Sequence, residues 1–192
     1  MPGEQLDMFG AAPALPDGFR YQPDLVSPAA ERAIVGAVQA LPFREFLFHG
    51  HAGRRRVVSF GWRYDFEAEA LRPAEPMPPF LAALREAAAA FADLAPERLA
   101  QALVTEYAEG AAIGWHRDKG VFGDVVGVSL LAPCTFRLRR AVGDAWERVS
   151  LTVAPRSAYL LRGPVRTAWE HSIPAVPALR YSITFRTLRA AR

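Results

Sequence analysis

Cysteine is nearly absent from this chain, which has a single one, Cys134, among 192 residues. One cysteine cannot form an internal disulfide, so a disulfide-stabilised scaffold is excluded. No positively charged start is followed by the apolar run of a signal peptide. We therefore expect a protein of the reducing cytoplasm.

Long apolar runs and a strong charge of one sign are also missing. No stretch approaches the roughly 20 uninterrupted apolar residues that a membrane span requires, so we expect no membrane segment. The formal net charge is only +3, and the pI is near 9.4. This balance favours anionic partners but is too small to establish nucleic-acid binding.

The remaining composition fits one domain of mixed structure. A hydrophobic content of 51% in 192 residues can bury one core and is short for two. The 16 prolines and 14 glycines are spread along the chain, which indicates many short elements rather than a helical bundle. We interpret residues 1–18 as a flexible tail and residues 19–192 as a single domain.

Two helices and many strands are predicted in this domain. The stretch 27–41 begins with a capping serine and a proline at the first helical position, and the stretch 78–94 is rich in alanine with one apolar face. Between them, residues 44–66 predict a hairpin with a strongly basic turn. Eight strand-like runs follow: ALVTEY, AIGWHRD, VVGVSLL, CTFRLRR, ERVSLTV, SAYLLRG, TAWEHSI and RYSITFR. This order predicts an α+β fold whose strands close into a sandwich or barrel, with a jelly roll as the natural choice.

A histidine and an aspartate stand two residues apart in IGWHRDKG. If this segment is a strand, His116 and Asp118 project from one face. The run TAWEHSI supplies His171 as a third ligand. Two histidines and one carboxylate on one side of an iron leave the other positions open, as in non-haem Fe(II) oxygenases. Taken alone, a His-x-Asp pair also arises by chance in an ordinary strand.

The run RYSITFR alternates strictly between polar and apolar residues. Arg180, Ser182, Thr184 and Arg186 fall on one face of the predicted strand. Arginine pairs carboxylates through its planar fork, so two inward arginines could hold a small dianion. The alternative is an amphipathic edge strand with solvated arginines.

Taken together, these motifs resemble those of the AlkB-like Fe(II) and 2-oxoglutarate-dependent dioxygenases over residues 19–189. The resemblance is carried by WHRDK, by the histidine of TAWEHSI and by the two arginines of RYSITFR in this order. It implies a double-stranded β-helix, or jelly roll, with helices packed outside. It also implies Fe(II), 2-oxoglutarate and O2 as cofactors, with iron bound by His116, Asp118 and His171.

The resemblance assigns further residues to the cosubstrate. Arg180 would pair with the far carboxylate of 2-oxoglutarate, Arg186 would lie near its iron-proximal end, and Tyr107 matches a cosubstrate-binding tyrosine. Thr105 and Ser182 stand where the DNA-repair archetype has asparagines, and both retain hydrogen-bonding capacity.

The reaction that the resemblance implies is hydroxylation of an N-methyl group on a nucleic-acid base. The hydroxylated product would break down to formaldehyde and the demethylated base, while 2-oxoglutarate becomes succinate. The archetype has an acidic residue, which helps to recognise the damaged base, where this chain has Gly120. The substrate is therefore left more open than the oxygen chemistry.

A basic and aromatic segment, residues 44–66, lies where family members form a lid over the nucleotide. Its candidate phosphate ligands are Arg54, Arg55 and Arg56, and its candidates for stacking on an extruded base are Trp62 and Tyr64. The alternative is a basic surface turn with two core aromatics. His49 and His51 lack a carboxylate or thiol partner and are interpreted as loop residues.

The tail contains a short peptide that resembles the segment with which bacterial repair proteins bind the sliding clamp. It consists of Gln5, Leu6, Asp7, Met8 and Phe9. A flexible segment with apolar anchors is suited to filling a groove. This feature favours DNA over RNA as the partner of a monomeric enzyme.

Other functions remain open at this stage. The same iron and cosubstrate could serve a hydroxylase of RNA, protein or a small molecule. A non-catalytic β-barrel binding module is a further alternative. Zinc-dependent hydrolysis is disfavoured, because no general base is evident beside the three ligands and two arginines would have no role.

Overall fold

The computed structural model describes residues 15–48 and 51–189, with the side chains of residues 46–48 and 51–54 left out. The predicted clamp peptide, Arg54 as a side chain, and His49 lie outside this description. The chain enters the fold at Phe19, where the first strand begins. Within the described residues, no helix is long and apolar enough to cross a membrane.

Thirteen strands and three α-helices make up the described part of the chain. All eight predicted strands are present, and both predicted helices are found. The strands are β1 (Phe19–Gln22), β2 (Arg44–Phe48), β3 (His51–Phe60), β4 (Trp62–Asp65), β5 (Ala70–Pro73), β6 (Leu99–Tyr107), β7 (Ile113–His116), β8 (Phe122–Leu130), β9 (Cys134–Val142), β10 (Ala145–Val153), β11 (Ala158–Leu161), β12 (Glu170–Ile173) and β13 (Arg180–Leu188). The helices are α1 (Pro28–Gln39), α2 (Ala82–Phe91) and α3 (Pro164–Thr167).

The strands form two main sheets, with every observed pairing antiparallel. The major sheet has seven strands in the order β1-β11-β8-β13-β6-β3-β2, and the minor sheet has four in the order β10-β9-β12-β7. A separate two-stranded sheet joins β4 to β5. Strand β13 lies in the interior of the major sheet, paired with β8 on one side and β6 on the other.

Alternation along β13 divides the molecule into layers. Tyr181, Ile183 and Phe185 pack with the buried faces of α1 and α2 in one apolar cluster. A second cluster, which includes Phe136 and Leu138 of the minor sheet, joins the two sheets. The order is therefore helices, major sheet, minor sheet, and the polar face of β13 is directed into the space between the sheets.

The first helix begins where its sequence signals predict. The Ser27 hydroxyl accepts a hydrogen bond from the backbone N–H of Ala30 at 3.1 Å, and Pro28 occupies the first turn. Ile34, Val35 and Val38 then lie on one buried side. This side fixes α1 against the major sheet, away from the space between the sheets.

Two local predictions are wrong. Strand β7 ends at His116, so Asp118 lies in the following loop and not on the same strand face. Strand β3 begins at His51, so the arginines at 54–56 lie within β3 and not in a basic turn. In each case pairing with a distant strand, which a local pattern does not contain, decides where the extended segment begins and ends.

Candidate active site

Two histidines face each other across neighbouring strands of the minor sheet. His116 pairs with His171 in the register of β7 and β12, and the centroids of their rings are 4.2 Å apart. Directly opposed residues of an antiparallel pair lie on the same face. Asp118 follows in the loop, and its Oδ2 lies 3.7 Å from Nε2 of His171. The three predicted ligands therefore lie close together.

The orientation of His116 is set by its own strand. Its Nδ1 lies 2.9 Å from the carbonyl oxygen of Gly114, to which a protonated Nδ1 donates a hydrogen bond. This contact favours the tautomer in which Nε2 carries a free lone pair. His116 is thus prepared to offer Nε2 as a ligand.

Arg186 holds the carboxylate of Asp118. Its Nε and Nη2 donate to Oδ1 of Asp118 at 2.9 and 2.7 Å, and its Nη1 donates to Oε1 of Gln101 at 2.9 Å. The side chains of Arg186 and Asp118 are 10% and 8% exposed, so solvent screens this ion pair weakly. Arg186 leaves Oδ2 of Asp118 directed towards the histidines.

Burial and neighbouring charges set the protonation of the three groups. Burial raises the pKa of the Asp118 carboxyl, but the charges of Arg186 and His171 outweigh it, so the net pKa lies well below the usual range. Burial lowers the pKa of His116, and burial together with the nearby His116 ring lowers the pKa of His171 to about 3. At neutral pH the group consists of a carboxylate and two neutral imidazoles, the forms that bind a metal.

The donor set fits Fe(II), although the three side chains are not fully closed around one point. Two donors at right angles on one metal lie about 3 Å apart when the bonds are about 2.1 Å, which is less than the 3.7 Å between Asp118 and His171. Accordingly, no set of three or more His, Cys, Asp and Glu side chains in residues 15–48 and 51–189 is arranged as a complete metal cluster. Two imidazoles and a carboxylate on one side of a cavity are nonetheless the ligands of an open iron site.

Arg166 fixes the loop that carries Asp118. This arginine of α3 is 5% exposed and donates to four backbone carbonyl oxygens. The acceptors belong to Asp118, Lys119, Phe122 and Gly123, at 2.8 to 3.1 Å. One guanidinium thus joins the loop after β7 to the helix that precedes β12, and so links the two segments that supply the ligands.

Arg180 is fully buried, with 0% of its surface exposed. Its Nε donates to Oγ of Ser129 at 3.0 Å, and its guanidinium carbon lies 5.0 Å from the centroid of the Tyr107 ring. Among the residues that the structure describes, its Nη1 and Nη2 have no hydrogen-bond partner. A buried cation with two free donors matches a carboxylate that a ligand would bring.

A cavity lies between the sheets; Arg186 lines it, whereas Arg180 borders it through the ring of Tyr107. Ser182 of β13 lies between Thr105 of β6 and Ser129 of β8, which gives a row of hydroxyl groups across the major sheet. The opposite wall carries the two histidines and Asp118. The lining residues are Arg55, Leu103, Thr105, Tyr107, Ile113, His116, Asp118, Val125, Phe136, Tyr159, His171, Ile173, Ser182, Thr184 and Arg186. This space suits a small dicarboxylate with one end at the metal ligands and a polar wall along its length.

Residues 18–186 match the family model of the 2OG-Fe(II) oxygenase superfamily. The chain belongs to this superfamily. Its members use Fe(II), 2-oxoglutarate and O2, as the motifs predicted. They are 2-oxoglutarate-dependent dioxygenases.

This oxygenase is similar to two proteins whose descriptions name ALKBH proteins. It is 27% identical over 181 residues to a protein of Arabidopsis thaliana described as an alkylated DNA repair protein ALKBH8 homolog. The alignment covers 82% of this chain and 51% of the relative, so the chain spans about half the length of that protein. The solved structure of OsALKBH1 has a TM-score of 0.69 and 16% identity, and the match covers 91% of this chain and 100% of that one. This likeness confirms the predicted jelly roll with flanking helices.

The two described arginines of the predicted lid, Arg55 and Arg56, lie on opposite faces of β3. Arg55 is paired with Tyr107 in the register of β3 and β6 and lines the cavity. Arg56 is directed to the other face, where it forms a bidentate ion pair with Glu106, with nitrogen–oxygen distances of 2.7 and 3.0 Å. Its guanidinium also lies over the ring of Phe43. Of the two described arginines, only Arg55 therefore faces the candidate site.

The two predicted stacking residues lie beside the site rather than in it. Trp62 and Tyr64 are half-buried in β4, and neither is among the residues that line the cavity. The ring of Tyr64 is 5.0 Å from Nζ of Lys119, which follows Asp118. Phe66 lies edge-on to Tyr64 and also contacts this ammonium group. Tyr64 is thus linked to the loop of Asp118, while Gly120 in the same loop is exposed.

Sequence reasoning missed three residues of the site: Ser129, Gln101 and Arg166. Ser129 belongs to a predicted strand and Gln101 directly precedes one, but their contacts depend on which strands are neighbours. Arg166 belongs to a four-residue helix without a periodic pattern. No local signal distinguishes it from a surface arginine.

Proposed function

We propose that this oxygenase demethylates N-alkylated bases of nucleic acid, using Fe(II), 2-oxoglutarate and O2. One observation carries the proposal: the buried guanidinium of Arg180 has two nitrogens without a partner among the described residues, and it packs on Tyr107, which lines the cavity together with His116, Asp118 and His171. This combination matches a cosubstrate with a carboxylate at each end. The nucleic-acid substrate is supported by the description of the Arabidopsis relative as an alkylated DNA repair protein and by the cationic Arg55 in the cavity wall.

Each side chain has a defined task in this proposal. His116, Asp118 and His171 hold iron on one side and leave the other positions open. Arg180 pairs with the far carboxylate of 2-oxoglutarate. Arg186 keeps Asp118 ionised and directed at the metal.

The polar row along the cavity orients the cosubstrate. Thr105 and Ser182 offer hydroxyl groups to it, and the Tyr107 ring supports the guanidinium of Arg180. The bound iron supplies oxygen activation. One oxygen atom of O2 enters succinate as 2-oxoglutarate loses CO2, and the other enters the C–H bond of the N-methyl group. The resulting N-hydroxymethyl group loses formaldehyde, and its nitrogen regains a proton.

The proposal is tested by measuring formaldehyde and succinate with single- and double-stranded DNA, RNA and peptides that carry N-methyl groups. We expect formaldehyde from methylated nucleic acid in proportion to succinate. Asp118→Ala should abolish both products, whereas Arg98→Ala, an exposed change far from the cavity, should abolish neither. Formaldehyde from methylated peptides alone would replace the nucleic-acid proposal by the protein-directed alternative.

We also propose that residues 5–9 bind a sliding clamp and so favour DNA over RNA. The support is the sequence QLDMF, which lies outside the described residues. A fluorescent peptide of residues 1–14 should bind a bacterial clamp, and Phe9→Ala should weaken binding by removing an apolar anchor. Equal binding by both peptides would contradict this assignment.

A further inference from the structure

The outer face of the minor sheet carries arginines and tryptophans that the oxygen chemistry does not use. Phe136 and Leu138 of β9 are directed inwards to the cluster between the sheets. Alternation therefore directs Arg137 and Arg139 outwards. Arg148 of β10 lies directly opposite Arg139 and shares this outer face.

Two indole rings hold Arg139 flat against this face. The guanidinium carbon of Arg139 is 4.4 Å from the ring centroid of Trp115 and 4.2 Å from that of Trp146. The guanidinium carbon of Arg137 also lies near Trp115, 5.0 Å from the centroid of its ring. Trp146 nevertheless remains 40% exposed. These stacks keep the aromatic and cationic groups in fixed positions at the surface.

The charges of this face are not balanced within the protein. Arg139 pairs with Glu170 at 2.7 Å, but Arg137 donates its Nε to the neutral Ser172 hydroxyl. In the part of the chain that the structure describes, Arg148 has no ion-pair partner. Two cations directly opposed across an antiparallel pair repel each other, which is unfavourable for the sheet. An anionic partner on this face would offset that repulsion.

This outer face and the candidate active site lie on opposite sides of the minor sheet. Strand β7 forms an edge of the minor sheet, and alternation places Trp115 outside and His116 inside. A polymer with one unit in the cavity can therefore pass over this edge and reach the outer arginines. The four strands of the sheet span about 15 Å, so a ligand must be longer than a single nucleotide to contact both places.

We infer that this outer face, made up of Trp115, Arg137, Arg139, Trp146 and Arg148, binds the phosphate backbone of a nucleic-acid strand beyond the modified base. The inference deepens the proposed function and rests on it for the identity of the strand. Arginines contact the phosphates, and the exposed side of Trp146 offers a surface on which a base can stack. Cations interleaved with exposed aromatic rings are the usual means of binding single strands without sequence preference. The face thereby extends the contact beyond the cavity.

The test measures binding of a fluorescent, unmethylated 15-nucleotide DNA strand by anisotropy at several salt concentrations. Arg137→Ala/Arg148→Ala should weaken binding about tenfold at low salt, since each lost contact is worth up to about 1 kcal/mol. The slope of log K against log salt should fall by about 1.4, at about 0.7 for each lost phosphate contact to a single strand. Trp146→Ala should weaken binding without changing this slope. Arg137→Lys/Arg148→Lys keeps the charges and should retain most of the affinity.

The matched control is Arg32→Ala/Arg98→Ala, which removes two exposed arginines elsewhere. It should bind the strand like the wild type. Equal affinity of Arg137→Ala/Arg148→Ala and the wild type would overturn the inference, even if methylated DNA still releases formaldehyde. Tighter binding of polyglutamate than of DNA by this face would also overturn it, in favour of an acidic protein. If the arginines govern DNA binding but no nucleic acid releases formaldehyde, the proposed function fails and the binding surface stands.

Discussion

Replacing Arg180 with methionine should have opposite effects on the protein with and without 2-oxoglutarate. Without a ligand, the guanidinium is fully buried, and two of its nitrogens have no partner in residues 15–48 and 51–189. Methionine fills a similar volume with an apolar, flexible chain. Replacing buried charges by apolar groups is often neutral or stabilising. We therefore expect the free energy of unfolding of the ligand-free Arg180→Met variant to equal that of the wild type or exceed it by about 1 kcal/mol.

The same change should remove most of the stabilisation by 2-oxoglutarate. Loss of one partner of a buried ion pair costs about 3–5 kcal/mol, which weakens affinity at least about a hundredfold. At a concentration of 100 times its Kd, 2-oxoglutarate stabilises the wild type by about 2.7 kcal/mol. A Kd that is 200-fold higher reduces this stabilisation to about 0.2 kcal/mol. For a chain of this size, the ligand should raise the Tm of the wild type by about 5–10 °C and that of the variant by less than about 1 °C.

Thermal unfolding with anaerobic Fe(II), in the presence and absence of 2-oxoglutarate, measures both effects. The matched control is Arg85→Met, which removes a half-buried arginine whose Nε donates to the carbonyl oxygen of Leu99. This control should lower the Tm but keep the shift caused by 2-oxoglutarate. An equal ligand-induced shift in Arg180→Met and the wild type would refute the assignment of Arg180 to the cosubstrate.

Three further predictions concern the metal ligands and the lid. The folded-state pKa of His171 is lowered to about 3 from its unfolded value near 6.5, so the iron-free protein should lose stability as pH falls from about 6.5 towards 4. Urea unfolding should show that stability depends less on pH in His171→Asn than in the wild type. An unchanged dependence would count against the burial of a neutral imidazole. In Arg166→Lys, the lysine cannot donate to four carbonyl groups, so Fe(II) binding should be about 10- to 100-fold weaker in an equilibrium titration. Undiminished affinity would show that the loop holds its position without Arg166. Arg55→Ala should reduce formaldehyde release from methylated oligonucleotides. Arg56→Ala should leave this turnover intact and lower the free energy of unfolding by up to about 1 kcal/mol, because Arg56 pairs with a residue on the other face. The reverse pattern in steady-state assays and urea unfolding would show that the sides of β3 are wrongly assigned.

The sequence predicted features that depend on strict alternation within one strand. In RYSITFR, alternation alone separates Arg180 and Ser182 from Tyr181 and Ile183, because β13 is extended over its whole length in the middle of a sheet. The pattern also determines the side of the sheet on which Arg186 lies. It does not determine that Arg186 contacts Asp118.

Features that depend on contacts between distant segments could not be predicted from local patterns. Asp118 leaves the strand because the loop after β7 bends towards Arg166, which lies in a segment far along the chain. The side on which Arg55 lies follows from the register of β3 against β6. Composition and charge identify such arginines as candidates, but only strand pairing decides which of them enters the cavity.

The pairing of His116 with His171 also has a mechanical consequence. Strand β7 has four residues, borders a single neighbouring strand, and is held there by two registered pairs with an irregularity between them. One iron ligand thus belongs to a weakly anchored edge, while another belongs to β12 in the interior of the sheet. Iron bound by both histidines would connect the edge strand β7 to the interior strand β12. Because the iron would join these two strands, we expect metal loading to stabilise this edge, which also brings Trp115 to the outer face.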